Sequence, residues 1–193
     1  MVGRIIKAVI NNTVIRMLTA LSIVGAVAGA SLVFVYNYAT PKIEVNVEGG
    51  TEKAIKTIFP DVGKIKQTGE KDVYKIENSQ GEIEGYAFLA EGNGYQGTIK
   101  LIIGVDPKID KMMGMEVLES QETPGLGAEI SSAHFRDQFI DLPVTKKIEY
   151  VKNQKLEKDN QIEAITGATI SSKAVVRIIN NRIEELRQQG LGS

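Results

Sequence analysis

The chain has 193 residues, with 23 basic and 24 acidic side chains and a formal net charge of −1. This length suits one ordinary domain plus an anchor, and the balanced charge argues against a nucleic-acid partner. Cysteine is absent and His134 is the only histidine, which excludes thiolate-held iron–sulfur clusters, disulfides and histidine-rich metal sites. We therefore expect no metal site, and redox chemistry would require an organic cofactor.

An uncharged apolar run covers residues 17–36 and follows the basic residues Arg4, Lys7 and Arg16. At about 1.5 Å per residue, a helix of this length reaches roughly 30 Å, the hydrocarbon thickness of a bilayer. Because basic residues stay on the cytoplasmic side, we predict a single-pass helix in the cell (inner) membrane, with a cytoplasmic N-terminus and an extracytoplasmic domain. The alternative is a signal peptide cleaved near residues 28–30, which exports the same domain.

The rest of the chain has the composition of a soluble domain. Apolar residues at helical spacing predict a helix over 52–59 that Pro60 ends, and an amphipathic helix over 172–188. Alternating patterns with short turns predict antiparallel strands near 72–77, 82–90, 97–105 and 113–119. A short helix over 132–139 and a further strand near 147–151 are predicted to follow. We predict an α+β fold in which helices flank a twisted antiparallel sheet, plus one N-terminal transmembrane helix. The predicted domains are a cytoplasmic N-terminus (1–16), a transmembrane helix (17–36), a linker (37–50) and an extracytoplasmic domain (51–190).

A phosphate site is one interpretation of Thr166-Gly167-Ala168-Thr169, which directly precedes the last predicted helix. Backbone N–H groups and the dipole at a helix start favour an anion. Gly167 lets the backbone approach a ligand closely, and Ala168 adds no bulk. The alternative is that the hydroxyls of residues 169–172 only cap the helix.

This segment resembles the S/T-G-A-T signature of a family of FMN-binding domains in which a flavin transferase attaches FMN covalently. In that family the hydroxyl of the last threonine forms a phosphodiester with the flavin's phosphate. The resemblance implies that Thr169 is the attachment residue and that Thr166, Gly167 and Ala168 surround the phosphate.

A second stretch, E-T-P-G-L-G over residues 122–127, resembles the loop of the same family that lies near the isoalloxazine ring. Glycines allow close approach to a flat ring, leucine offers an apolar face, and carboxylate and hydroxyl groups can form hydrogen bonds. The residues implied as flavin contacts are Glu122, Thr123, Gly125, Leu126 and Gly127. Taken alone, Pro-Gly only indicates a turn.

A third match is Gly94-Tyr95-Gln96-Gly97, which leads into a long apolar strand as it does in the family's FMN-binding domain. Tyr95 is the candidate for stacking on the flavin. The alternative is a turn that begins a hairpin.

Residues 51–186 carry the resemblance, which points most closely to the G subunit of the Rnf complex, the ion-translocating ferredoxin:NAD oxidoreductase. It implies an electron-carrying flavoprotein that has no complete catalytic site of its own. Such a chain is an enzyme only as part of its complex. The implied partners are other membrane and peripheral subunits and, for maturation, a flavin transferase. One alternative is the C subunit of a sodium-translocating NADH:quinone reductase, which shares both motifs but is typically longer. Others are an exported non-redox binding or scaffold domain, and a flavin domain acting as a stand-alone sensor or anchored reductase.

Overall fold

The computed structural model describes residues 13–190, and the chain divides between Glu48 and Gly49 into two compact units. The first helix, α1 (Thr13–Ile58), contributes residues to both units. Within it, Ile15–Asn37 is long and apolar enough to cross a membrane, with a mean hydropathy of 2.2.

This apolar stretch contains the predicted span of residues 17–36. Of the basic residues that led us to predict its orientation, Arg16 is described, whereas Arg4 and Lys7 lie outside the described residues. The segment 37–50, predicted as a linker, is assigned as helix within α1.

The second unit contains the predicted antiparallel sheet. Its five strands pair in chain order, so that each neighbours the next along the sequence. They are β1 (Val62–Gln67), β2 (Val73–Asn78), β3 (Ile83–Asn93), β4 (Thr98–Val105) and β5 (Met112–Ser120). The α+β prediction is confirmed, and β1 is an addition to it. Burial does not alternate along β1, because a register shift between Val62 and Lys64 interrupts its pairing with β2.

The remaining elements follow β5. They are a 3-10 helix (Gly127–Ser131), α2 (Ala133–Arg136), a second 3-10 helix (Asp137–Phe139), β6 (Glu149–Val151), β7 (Gln161–Glu163) and α3 (Thr169–Gln188). Strand β6 lies within the strand predicted near 147–151, but it forms a separate parallel pair with β7, which was not predicted. The short helix predicted over 132–139 is divided between α2 and a 3-10 turn, and α3 begins at Thr169, earlier than the predicted residue 172.

Both faces of the sheet are buried by helices. In β4, Leu101 and Ile103 belong to the larger apolar cluster with α3, whereas Ile102 belongs to a second cluster. The C-terminal part of α1 supplies that second cluster with Ala54, Ile55 and Ile58. This division follows from the period of two in a strand, which directs successive side chains to opposite faces. The packing of α3 on the sheet fixes the helix whose first residue is Thr169.

The buried stripe of α3 is expected to contribute strongly to stability. Ile179 is fully buried in the larger cluster, so Ile179→Ala should lower the free energy of unfolding by about 2–5 kcal/mol, through lost burial and a cavity. Chemical denaturation of the full chain in detergent measures this. Ile140, which is 54% exposed, provides the control, because Ile140→Ala should change stability by less than about 0.5 kcal/mol. Equal losses in the two variants would contradict this packing.

Candidate functional site

The T-G-A-T segment forms the turn that leads into α3. Gly167 has φ +86°, a left-handed conformation that favours glycine, and Ala168 is the buried N-cap residue. Thr169, half-buried, is the first residue of the helix. The Thr166 hydroxyl is exposed and donates a hydrogen bond to Oδ1 of Asn153 over 3.1 Å.

The hydroxyls that follow Ala168 do not cap α3. Among residues 13–190, no side chain forms a cap hydrogen bond at this helix start. The Ser172 hydroxyl accepts from the Ile165 N–H and donates to the Ala168 carbonyl, both over 3.0 Å. The Ser171 hydroxyl donates to Glu122 Oε2 over 2.6 Å. The first-turn N–H groups of an uncapped helix are suited to an anion, and the phosphate site at this turn stays a prediction.

The E-T-P-G-L-G loop follows β5 as a compact turn. The Thr123 carbonyl accepts hydrogen bonds from the N–H groups of Leu126 and Ala128, each over 3.1 Å. Gly125 has φ +73° at the exposed tip, and Gly127 is buried at the start of a 3-10 helix. The turn that Pro-Gly predicts is present, and it exposes Leu126 to 49%.

Glu122 connects this loop to the Gly94–Gly97 turn and to the first turn of α3. Its side chain is only 6% exposed. Oε1 accepts from the backbone N–H groups of Tyr95 (2.6 Å) and Gln96 (3.1 Å), and Oε2 accepts from the Ser171 hydroxyl. We expected Glu122 to form hydrogen bonds with the flavin, whereas in the structure both oxygens bind groups of the protein itself.

The backbone around this carboxylate leaves room for it. A Cβ added at Gly94 would lie 2.2 Å from Oε1, and one at Gly127 would lie 2.4 Å from Oε2. Contacts this short do not occur, so glycine at these two positions is needed for the observed packing of Glu122. Gly127, which the resemblance implies as a flavin contact, thus also accommodates a buried side chain, and its contact with a flavin stays a prediction.

The hydrogen bonds at Glu122 determine how it titrates. Burial raises the pKa of its carboxyl, but the Ser171 hydroxyl and the N–H groups of Gln96, Tyr95 and Gly97 together outweigh burial and hold the pKa below its usual range. The bonds to the ionised carboxylate thus stabilise the fold fully above the usual glutamate pKa of about 4.3. That stabilisation is lost as pH falls through the lower, folded-state pKa.

Glu122→Gln should remove this part of the pH dependence of stability, because glutamine has no carboxyl group to titrate. We expect the wild-type chain to have the higher Tm at neutral pH and the difference between the two to shrink in acid. Thermal unfolding of both proteins across roughly pH 3–7 in steps of about one unit checks this. A Tm difference that stays constant over the range would contradict the assignment.

Three exposed apolar side chains come from the segments that Glu122 and α3 bring together. Tyr95 is 66% exposed, Leu126 49% and Ile170 57%. Leu126 Cδ2 lies 3.4 Å from where a Cβ on Gly167 would be, so the E-T-P-G-L-G loop touches the T-G-A-T turn. Ile170 was not a predicted site residue, although its position beside Thr169 in the helix's first turn is visible in the sequence.

The structure therefore brings together Tyr95, Glu122, Leu126 and Gly167, whereas the Thr166 side chain is turned toward Asn153. Ser171 was considered only as a possible helix cap, and Asn153 was not considered at all. Asn153 lies in a loop with φ +48° and has no local signal that indicates its partner.

Comparison with known proteins agrees with these motifs. The model of the FMN-binding domain family matches residues 94–184, which include all three motifs. The G subunit of the ion-translocating oxidoreductase complex of Methanosarcina acetivorans is 29% identical over 190 residues, covering 93% of this chain and 97% of that protein. The G subunit of the proton-translocating ferredoxin:NAD(+) oxidoreductase complex of Clostridium ljungdahlii is 31% identical over 179 residues, covering 91% and 92%.

Solved structures agree on the fold. The C subunit of the Na(+)-translocating NADH-quinone reductase from Parabacteroides distasonis superposes with a TM-score of 0.55 at 27% identity, covering 60% of each chain. NqrC of Shewanella oneidensis, at 19% identity and a TM-score of 0.54, shares the fold over 66% of this chain and 73% of its own. Similarity to the two G subunits extends over nearly the whole of both chains, whereas similarity to these two structures is limited to part of each. The chain belongs to the family of G subunits of ion-translocating oxidoreductase complexes.

Proposed function

We propose that this chain carries electrons in a membrane-bound ion-translocating ferredoxin:NAD oxidoreductase through FMN joined covalently to Thr169. The main support is that Thr169 ends a T-G-A-T turn and begins a long helix whose first turn has no side-chain cap within the described part of the chain. Family membership supports a redox role with an FMN-binding domain. The covalent bond to Thr169 is our inference from the motif and this geometry.

The residues present fit a flavin phosphate. The first-turn N–H groups of α3 and the positive end of its dipole attract an anion. Gly167, with no Cβ and a left-handed backbone, allows the turn to pass close to the phosphate, and Ala168 adds no polar group that would compete. We propose that Thr169 bonds the phosphate while Thr166, held by Asn153, remains unmodified.

Attachment is a phosphoryl transfer without any change of oxidation state. The Thr169 Oγ–P bond forms as the bond between that phosphorus and a leaving nucleotide phosphate breaks, and the hydroxyl proton passes to a base. The donor must then be a flavin dinucleotide, since the phosphate of free FMN has no leaving group better than water. No base of this chain is hydrogen-bonded to Thr169 among the described residues, which is consistent with a separate flavin transferase.

Three exposed apolar side chains, one from each of the segments that meet around Glu122, are suited to a flat aromatic ring. Leu126 and Ile170 offer aliphatic surface, and Tyr95 offers an aromatic ring for stacking. A bound flavin accepts and donates one or two electrons. The protein's contribution is to hold it in place and exclude water from one face. We propose no acid–base pair, so the chain acts as an enzyme only within its complex.

The domain arrangement follows from the apolar helix. We propose residues 1–16 as the cytoplasmic N-terminus, 17–36 as a retained membrane anchor, 37–50 as a linker and 51–190 as the extracytoplasmic FMN domain. Because charged Arg16 precedes the span, this orientation obeys the positive-inside rule. The partners are other membrane and peripheral subunits of the complex.

Expression with and without a flavin transferase tests this proposal. We expect the full chain produced in a cell that lacks the enzyme to fold but remain colourless. When the enzyme and export are supplied, its band in a denaturing gel should fluoresce under ultraviolet light. A non-redox scaffold domain would be dark in both cases, and a fluorescent band without the transferase would show self-modification.

A further inference from the structure

A buried carboxylate holds together the three segments of the site. Oε1 of Glu122 accepts from the N–H groups of Tyr95 and Gln96, 27 and 26 residues away in sequence, and Oε2 accepts from Ser171, 49 residues away. Charge-assisted hydrogen bonds are the stronger class, and a buried charge without them would be costly. These bonds therefore offset the free-energy cost of burying the charge, and they join parts of the chain that are distant in sequence.

The bond to Ser171 acts on the helix that begins at the attachment residue. Ser171 lies in the first turn of α3, two positions after Thr169, and is itself buried. Helix ends fray, and this one has no side-chain cap to stabilise it. The Glu122 carboxylate thus adds a hydrogen bond from outside the helix that holds the first turn, beside the bond from the Ile165 N–H to the Ser172 hydroxyl.

The chain accommodates this arrangement at two glycines. Oε1 occupies space that a Cβ at Gly94 would fill, and Oε2 occupies space that a Cβ at Gly127 would fill. Glu122 is enclosed on both sides by backbone from two of the three motifs. Its oxygens are directed into the protein and the residue is 6% exposed, so the carboxylate does not reach outward to a ligand.

We propose that Glu122 is the positioning residue that presents the Thr169 hydroxyl for flavin attachment, without contacting the flavin itself. This inference rests on the proposed attachment at Thr169, in which Oγ forms the bond to phosphorus and the nucleotide phosphate leaves. A reacting hydroxyl that is held in one orientation reacts much faster than one that samples many. Loss of the Glu122 hydrogen bonds should therefore slow attachment while leaving the sheet and its core folded.

The experiment follows attachment directly. Unmodified full chain in detergent is mixed with flavin transferase and a flavin dinucleotide, and intact mass gives the rate at which one FMN is added. We expect Glu122→Ala to be about 10- to 100-fold slower than wild type. Glu122→Gln should lose only a few-fold, because its amide oxygen can still accept from the Tyr95 and Gln96 N–H groups and its NH₂ can donate to Ser171.

Two further variants separate the positioning of Thr169 from the effect of removing any nearby carboxylate. Ser171→Ala removes only the hydrogen bond between Glu122 and α3, and we expect roughly 10-fold slower attachment. Glu129→Ala removes a carboxylate in the adjacent 3-10 helix and should keep the wild-type rate. Hydrogen exchange measured by mass spectrometry should show faster exchange of the amides of 95–97 in Glu122→Ala but not in Glu129→Ala.

The outcomes are distinct. If wild type accepts no flavin, the proposed function itself is wrong. If wild type is modified and the folded Glu122→Ala and Ser171→Ala variants react at the wild-type rate, Glu122 is not a positioning residue. Equal slowing by Ala and Gln would also overturn the inference, since it would assign the effect to charge alone. Should Glu122→Ala fail to fold, Ser171→Ala and Glu122→Gln decide between these outcomes.

Discussion

Thr169→Val is expected to eliminate covalent flavin from the chain while the domain stays folded. Valine is nearly isosteric with threonine but has no hydroxyl to form the ester bond, and Thr169 is half-buried at the first position of α3. Among the described residues, the Thr169 hydroxyl forms no hydrogen bond on which the fold depends. Fluorescence of the denatured protein, compared at equal loading with wild type, measures the loss, which should be complete.

Thr166→Val provides the matched control within the same motif. It removes a hydroxyl that donates to Asn153 on the exposed side of the turn. We expect most of the covalent flavin to be retained, with attachment slowed by no more than a few-fold, because one neutral hydrogen bond contributes about 0.5–1.5 kcal/mol. Fluorescence that survives in Thr169→Val but disappears in Thr166→Val would show that the flavin is attached to Thr166 and not to Thr169.

Gly127→Ala is expected to damage the site through Glu122. The added methyl group would lie 2.4 Å from Glu122 Oε2 and 2.7 Å from the Ser171 hydroxyl, so their mutual hydrogen bond cannot persist as it is. Overpacking of this kind costs about 1–3 kcal/mol, and here a buried charge also loses a partner. We expect a lower Tm and, because the first turn of α3 loses its hydrogen bond to Glu122, flavin attachment slowed by about 10-fold or more.

Gly125→Ala separates this effect from simple backbone strain. Gly125 has φ +73°, so alanine there is strained by about 1–2 kcal/mol, but nothing lies within 4 Å of the added methyl group. We expect a comparable loss of stability with attachment close to the wild-type rate. Slower attachment in Gly125→Ala than in Gly127→Ala would show that the loop tip, and not the Glu122 contact, governs the site.

Much of the fold could be predicted because its strands have local signals. Strands β2 to β5 alternate or are continuously apolar and are separated by short turns, which indicates a meander of hairpins. Strand β1 lacks that signal because Lys64 and Lys66 are exposed and a register shift interrupts its pattern. Strand β6 lies within the strand predicted near 147–151, whereas β7 was missed, since a strand of three residues is too short to show a period.

The site was predicted in its motifs but not in its internal connections. Thr169, Gly167 and Leu126 were identified from short motifs, and Leu126 does lie against Gly167. The role of Glu122 could not be inferred from its motif, because its partners are distant in sequence and come near only when β4, β5 and α3 pack. The first residue of α3 was placed late for a similar reason, since this first turn is stabilised by a tertiary hydrogen bond and not by a local cap.

The most direct test of the account is the mass of one peptide from the protein in its native membrane. Trypsin should release residues 159–173, which contain Thr166, Thr169, Ser171 and Ser172, by cleavage after Lys158 and Lys173. We expect this peptide to carry the added mass of one FMN less one water, with fragmentation assigning the phosphodiester to Thr169. An unmodified peptide from a functional complex, or flavin located on any other residue, would contradict the account.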